Sequence, residues 1–231
     1  MNMQEFQMLC EVKNISISEH QLKQLSRYAQ LLQEWNEKIN LTAITNLEDI
    51  FIKHFYDSLL IAPYLQRVKT LCDVGSGAGF PGLVLKIALP EIHITLVEPT
   101  LKRVNFLKEV ISDLGLTDIQ VINKRMEDCI ELKEAFDIVT ARAVASLPML
   151  SELCLPFVKI GGFFVAMKGS SGEDELKASK TALNILGGSV SSIIKETLPD
   201  GSSRVNILIQ KAMVSPAKYP RAYAQMKKKA L

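Results

Sequence analysis

DVGSGAGFPG, residues 73–82, closes the short apolar run TLCDV and sets four glycines and a proline into one bend. Glycine reaches backbone conformations closed to other residues and leaves room for a ligand to press against the main chain. The flanks decide what the bend serves. TLCDV (70–74) reads as a strand and the run from Pro81 to Leu89 as a helix. HITLVE (93–98), IQVIN (119–123), FDIVTAR (136–142) and GFFVAMK (162–168) read as further strands. Helices are expected at 101–115, from about Ser146 to Val158 and from Glu173 to Leu186. Strand and helix alternating in this way predict a parallel sheet with helices on both faces. SVSSIIKETL (189–198) and SRVNILIQK (203–211) break the alternation, because the Pro199-Asp200-Gly201-Ser202 turn between them predicts an antiparallel pair. The expected fold class is α/β: a Rossmann-like, mostly parallel sheet with a terminal antiparallel strand.

Residues 1–65 read as helical. Ser18 and Gln21 form a capping box, after which Leu22, Leu25, Ala29, Leu32 and Ile39 recur at helical spacing. A second helix is expected after Asn46, with Glu48 and Asp49 in its first turn and Pro63 at its end. Ile50, Phe51, His54, Phe55 and Leu59 share one of its sides. The expected organisation is a helical cap over 1–65 and an α/β domain over 66–231, packed as one compact unit.

Composition narrows the class. No apolar run approaches the ~20 residues that span a bilayer, and the opening MNMQEFQMLCEVKN lacks a signal-peptide layout, so a cytoplasmic protein with no membrane partner is expected. Cys10, Cys72, Cys129 and Cys154 form no CxxC pair, and His20, His54 and His93 supply no metal-ligand spacing, so no metal is expected. The net charge of +2 conceals an uneven distribution. Residues 211–231 hold six lysines and arginines and no acid, leaving 21 basic against 25 acidic residues elsewhere. Such a basic tail fits a phosphate-rich partner, or simply a solvated chain end.

In a doubly wound sheet, ligands lie beyond the carboxyl ends of the strands. Gly75, Gly77 and Gly79 fall in the first such turn, Pro81 is read as a first-turn helix proline, and Gly82 as a close-packing position. The frame is D-x-G-x-G-x-G, beginning at Asp73, rather than the dinucleotide G-x-G-x-x-G. Glu98 ends the second strand, where a carboxylate can accept from both ribose hydroxyls. Together with the terminal antiparallel strand, these features favour S-adenosylmethionine over a nicotinamide dinucleotide.

DVGSGAGFPG, LVEPTLKRVNFL (96–107), FDIVTARAVASLPML (136–150) and the glycine pair with its later lysine (161–169) resemble the bacterial glucose-inhibited division protein B family. WNEKINLTAI (35–44), HFYDSL (54–59) and YPR (219–221) are similar to it as well. The resemblance implies a Rossmann-like, S-adenosylmethionine-dependent methyltransferase acting on N7 of a guanine in a decoding-region stem-loop of 16S rRNA. It implies that Gly75, Phe80, Met126, Glu127 and Arg142 contact the cofactor. Two departures stand out: the family usually carries Ala at the position of Met126, and an Arg/Pro/Gly-rich run where this chain reads AYAQMKKKAL.

The residues fit that chemistry. There is no NPPY-like motif for an exocyclic amine, and Cys154, inside an expected helix, reads as core rather than as a nucleophile. Guanine N7 has an in-plane lone pair and no proton, so its methylation needs alignment rather than a base, and no catalytic base or nucleophile is expected. Asp73 braces the glycine turn or approaches the methionine amino group. His54 and Asp57, three apart on a helix, read as a pair docking the cap onto the sheet. The candidate RNA-binding residues are Lys102, Arg103, Lys124, Arg125, Arg221, Lys227, Lys228 and Lys229, and the expected partner is 16S rRNA or the small ribosomal subunit, met by a monomer. A nicotinamide-dependent oxidoreductase and a noncatalytic nucleotide-binding regulator remain the alternatives. If lysines and arginines meet RNA phosphates, affinity for small-subunit rRNA falls steeply with salt, by about 0.7–0.9 in log–log slope per phosphate contact. A filter-binding titration giving the same affinity at low and physiological salt would refute this.

Overall fold

In the computed structural model, which describes residues 3–231, the alternation becomes one seven-stranded sheet. Its strands are β1 (Thr70–Val74), β2 (His93–Val97), β3 (Ile119–Ile122), β4 (Phe136–Arg142), β5 (Val158–Lys168), β6 (Gly188–Thr197) and β7 (Ser203–Lys211). They lie in the order β3-β2-β1-β4-β5-β7-β6. β7 runs antiparallel to β5 and β6, and the remaining pairs are parallel. The strand order reverses between β1 and β4, which puts the crevice of a doubly wound sheet beside the glycine bend.

Alternation along each strand sorts apolar side chains into two cores, since successive side chains point to opposite faces. Leu71, Leu96, Ile138 and Val165 join one cluster, and their neighbours Cys72, Val97, Val139 and Phe164 join the other. The first cluster continues into the N-terminal helices through Leu25, Tyr28, Phe51 and Phe55.

Those helices are α1 (Met3–Glu11), α2 (Glu19–Asn36) and α3, which spans 47–59. The Ser18 hydroxyl accepts from Gln21 N at 3.3 Å and the Gln21 amide oxygen from Ser18 N at 2.8 Å, the expected capping box. Gln21 also donates to the carbonyls of Ile87 and Ala88, joining the start of α2 to the end of α4 (Gly82–Ala88). Asn46 caps α3 by accepting from Glu48 N and Asp49 N. The α-helical turns Leu47–Asp49 and Asp57–Leu59 flank a π-helical middle, Ile50–Tyr56, which apolar spacing did not foretell.

The remaining helices are α5 (Leu101–Asp113), α6 (Leu147–Cys154), α7 (Gly172–Ala178), α8 (Lys180–Leu186) and α9 (Tyr223–Lys228). Two expected helices are interrupted within the span read for them. α6 gives way to a 3₁₀ turn, Leu155–Phe157, because Pro156 has no N–H to continue the ladder, and Val158 already belongs to β5. The helix expected from Glu173 to Leu186 divides at Ser179, whose hydroxyl donates to the Glu175 carbonyl at 2.7 Å. Pro81 is the residue before α4 rather than in its first turn.

Gly82 is a glycine for packing. A Cβ there would collide with the Leu96 side chain and lie 2.8 Å from Asp73 Oδ2, the acceptor of the Gly82 N–H. Gly82→Ala is expected to destabilise the protein by about 1–3 kcal/mol, the usual cost of overpacking a filled core. Urea unfolding reads this directly, and an unchanged midpoint would show that Leu96 yields freely.

Candidate cofactor and acceptor site

The carboxyl edge of the sheet gathers the candidate cofactor residues from four consecutive strands. The turn after β1 is built from left-handed glycines: φ is +69° at Gly75, +59° at Gly77 and +96° at Gly79. They differ in surroundings. A Cβ on Gly75 would strike Val144, and one on Gly79 would strike Leu83 and the Tyr28 hydroxyl, whereas one on Gly77 would come no nearer than 3.9 Å to the rest of the protein. Gly77 thus faces open space, as a turn that admits a ligand requires.

Two buried carboxylates hold the turn. Glu98 Oε2 accepts from Gly77 N at 2.9 Å and its Oε1 from Thr100 N at 2.8 Å, so the expected ribose acceptor also braces the turn from beneath. Asp73 Oδ2 accepts from Gly82 N at 2.9 Å, which is the bracing role. Its Oδ1 is buried without a partner. Burial pushes the Asp73 carboxyl up to about 7, against the pull of the Gly82 N–H and Arg142. An acceptor left unpaired in the interior is costly unless something else bonds it, and the ammonium of a methionine moiety has the required chemistry.

Beside the turn lies a largely apolar pocket lined by Val74, Val97, Met126, Val144 and Leu153, with Arg125, Glu127 and Tyr223 as its polar members. Met126 is buried, and Glu127 is half-buried in the 3₁₀ turn after β3. Burial raises the Glu127 carboxyl above its usual range. An apolar slot with a few polar groups at its rim suits a purine. The orphaned Asp73 oxygen, the open side of Gly77 and this slot together fit S-adenosylmethionine.

A second, polar cleft of about 370 Å³ opens at the ends of β4 and β5, lined among others by Lys53, His54, Asp57, Arg142, Lys168, Glu175 and Arg204. Arg142 is its centre. Its Nη1 donates to Asp57 Oδ2 at 2.9 Å and to the Lys53 carbonyl at 3.1 Å, and its guanidinium lies 5.1 Å from the Phe80 ring centroid. Arg204 Nε binds the other Asp57 oxygen at 3.0 Å, and Lys168 Nζ pairs with Glu175 at 2.7 Å. The next residue, Ala143, has φ +58°, strained for a residue with a Cβ and placed on the cleft wall. His54 and Asp57 do share a side of α3, and each contacts Arg142. Phe80 is buried, stacked on His54 at 4.3 Å, so the turn presents its backbone rather than its ring.

The basic candidates separate. Lys102 and Arg103 open α5 beside Lys38 and line a surface groove. Lys124 pairs with Glu131 at 3.0 Å, and Arg125 lies over the Tyr223 ring at 4.8 Å. Arg221, expected to face RNA, is instead tied to Glu152 by contacts of 2.8 and 2.6 Å, because that buried carboxylate needs a partner. Lys227, Lys228 and Lys229 are exposed. Sequence reasoning did not name Val144, Leu153, Tyr223, Lys53, Lys168, Glu175 or Arg204 for the site. For Lys168, its place in the glycine-pair motif was the available signal. Tyr223 lies in AYAQMKKKAL, one of the two places where the sequence departs from the resemblance.

A fold and an edge of this kind define a Rossmann-like, S-adenosylmethionine-dependent methyltransferase. An S-adenosylmethionine-dependent O-methyltransferase from Thermotoga maritima superposes with a TM-score of 0.55 at 16% identity, covering 80% of this chain and 72% of that one. A 16S rRNA (adenine(1408)-N(1))-methyltransferase from Catenulisporales acidiphilia gives 0.54 at 16% identity, over 64% and 86%. The family model for rRNA small subunit methyltransferase G matches residues 21–202. The ribosomal RNA small subunit methyltransferase G of Geobacillus sp. is 47% identical over 227 residues, 96% of this chain and 95% of that protein. That of Bacillus thuringiensis (strain Al Hakam) is 46% identical over the same coverage. The chain belongs to the rRNA small subunit methyltransferase G family.

His54 gives the site a pH signature. Arg142 Nη2 donates to its Nδ1 at 3.1 Å, so Nε2 carries the proton and faces Thr42 Oγ1 at 2.9 Å. Burial, and then the Arg142 charge, lower the imidazole from 6.5 to about 3. The unfolded chain takes up a proton near 6.5 that the fold refuses, so this stability is present above that value and is lost as pH falls toward 3. Between about pH 5 and 7 the unfolding free energy of the native protein should rise more steeply with pH than that of His54→Gln. Parallel curves in urea would show that His54 titrates normally within the fold.

Proposed function

We propose that this chain transfers the methyl group of S-adenosylmethionine to N7 of a guanine in the decoding-region stem-loop of 16S rRNA, acting as a cytoplasmic monomer. The observation that carries the reading is the pairing of two chambers on one sheet edge. The apolar pocket and the Asp73 oxygen suit the two halves of the cofactor, and the cationic cleft around Arg142 suits an RNA nucleotide. Bound there, S-adenosylmethionine supplies an electrophilic methyl group that guanine N7 can accept with no proton to remove.

The residues match a reaction governed by alignment. Asp57 and Glu175, the carboxylates of the cleft, are both ion-paired, and His54 is neutral with its Nδ1 lone pair turned to Arg142. None is poised as a general base, and N7 needs none. Holding two reactants in line can contribute ~7–11 kcal/mol. Lys53, Arg142, Lys168 and Arg204 outnumber the cleft's carboxylates, which attracts the phosphates of an incoming nucleotide. No described helix is long and apolar enough to cross a membrane.

Incubation with S-adenosylmethionine and small subunits, or their rRNA, from cells lacking the modification tests the proposal. Borohydride–aniline treatment cuts at N7-methylguanine, and one new cut in the decoding-region loop is expected. Absence of a cut on both substrates, with the cofactor demonstrably bound, would sink the RNA assignment.

A further inference from the structure

The apolar pocket beside the glycine turn is smaller than its task requires. Its volume is about 70 Å³, against the ~300–1,000 Å³ usual for ligand sites. The polar cleft next to it, at about 370 Å³, falls within that range. One wall residue comes from far along the chain: Tyr223, on α9, lines the pocket beside Val144, Leu153 and the turn at 125–127.

The segment carrying Tyr223 is docked in a graded way. At its base, Arg221 binds Glu152 through its backbone N–H at 2.8 Å and its guanidinium at 2.8 and 2.6 Å. Glu152 is wholly buried, so separating this pair would strand a charge in the interior, and the base is fixed. Beyond Arg221 the hold weakens. Met226 is buried, Arg221 Nη2 donates to the Lys229 carbonyl at 3.1 Å, and Arg125 covers the Tyr223 ring, while Ala222, Ala224, Gln225 and Lys227 to Lys229 are exposed. A firm base followed by a lightly held, exposed helix is the build of a flap. The Tyr223 backbone N–H also helps hold the Glu127 carboxylate ionised, so the flap meets a residue expected to touch the cofactor.

We propose that residues 222–229 form a flap over the adenine end of the cofactor pocket, hinged at the Arg221–Glu152 pair, and that Tyr223 is the side chain that closes on the purine. The flap swings outward to admit the nucleoside and returns to cover it. This rests on the reading of the pocket as the cofactor site. The chemistry agrees: an aromatic ring beside a guanidinium is a recurrent surface for a nucleobase, and each base is received by its π-face.

Calorimetric titration with S-adenosylhomocysteine tests the proposal without reference to activity or RNA. Tyr223→Ala should weaken binding roughly tenfold, and Tyr223→Phe, which keeps the ring, should stay within about twofold of the native protein. 5′-Methylthioadenosine, which retains the adenine but not the amino acid, should show the same loss. Hydrogen exchange supplies the second reading: amides 223–229 should become at least about tenfold more protected on binding, as a closed flap must. Native binding with Tyr223→Ala unaffected, or with exchange across 223–229 unchanged, would overturn the flap and leave the cofactor site standing. Failure of the native protein to bind S-adenosylhomocysteine at all would overturn the cofactor reading and the flap together.

Discussion

A carboxylate that is only 3% exposed must be paired, and Asp57 is paired twice. Arg142 comes to it from the end of β4 and Arg204 from β7, at 2.9 and 3.0 Å, while Asp57 itself belongs to the N-terminal helices. One buried anion thereby joins the cap to two strands of the sheet, one parallel and one antiparallel. Removing either arginine would leave Asp57 less than fully compensated in a low-dielectric setting, so the three elements are obliged to meet there. The consequences spread outward. Arg142 also reaches the Lys53 carbonyl inside the π-helical turn, and His54 of that turn stacks on Phe80 of the glycine bend. The cleft, the cap and the bend are held by the same few bonds.

The glycine bend depends on carboxylates in a parallel way. Glu98 and Asp73 each accept from a backbone N–H of the bend or of the helix that follows it, which fixes a chain segment whose glycines would otherwise leave it loose. Position and openness therefore come from different residues: the acids set where the bend lies, and Gly77 leaves empty the space a Cβ would fill. The Asp73 oxygen without a partner is where the two duties meet, since the carboxylate that anchors α4 still has an acceptor to offer a ligand.

Much of this was legible in the sequence because it rests on local rules. Strand alternation, the Ser18 and Asn46 caps, the terminal antiparallel pair and the packing role of Gly82 all follow from spacing and residue type. The candidate cofactor edge was open to the same reading at Gly75 and Glu98, which directly follow β1 and β2, whereas Met126, in the 3₁₀ turn after β3, and Arg142, the last residue of β4, were expected from the family resemblance. What escaped was set by distant partners. The π-helical turn of α3 has no periodic signature, and its Lys53 carbonyl is bound by a side chain 89 residues away. Arg221 sits in a basic run that reads as RNA-facing, yet a buried glutamate 69 residues earlier claims it. Lys168, Glu175 and Arg204 look like ordinary surface charges until the sheet brings them to one cleft.

These partnerships bear on how the proposed reaction is served. A methyl transfer to N7 asks for two reactants to be held in line, and alignment is best supplied by elements that do not move. Arg142 ends a strand, its neighbour Ala143 is held at φ +58°, and Asp57 ties Arg142 to the N-terminal helices. The cleft proposed for the acceptor has both its carboxylates, Asp57 and Glu175, consumed in pairing its cations. The proposed flap borders the candidate cofactor pocket, where a nucleoside would enter and leave at each turnover. A cleft fixed by ion pairs beside a flap that opens for cofactor exchange would suit a base-free transfer, because such a reaction gains nothing from a flexible acceptor cleft and stalls without an exit for the spent cofactor.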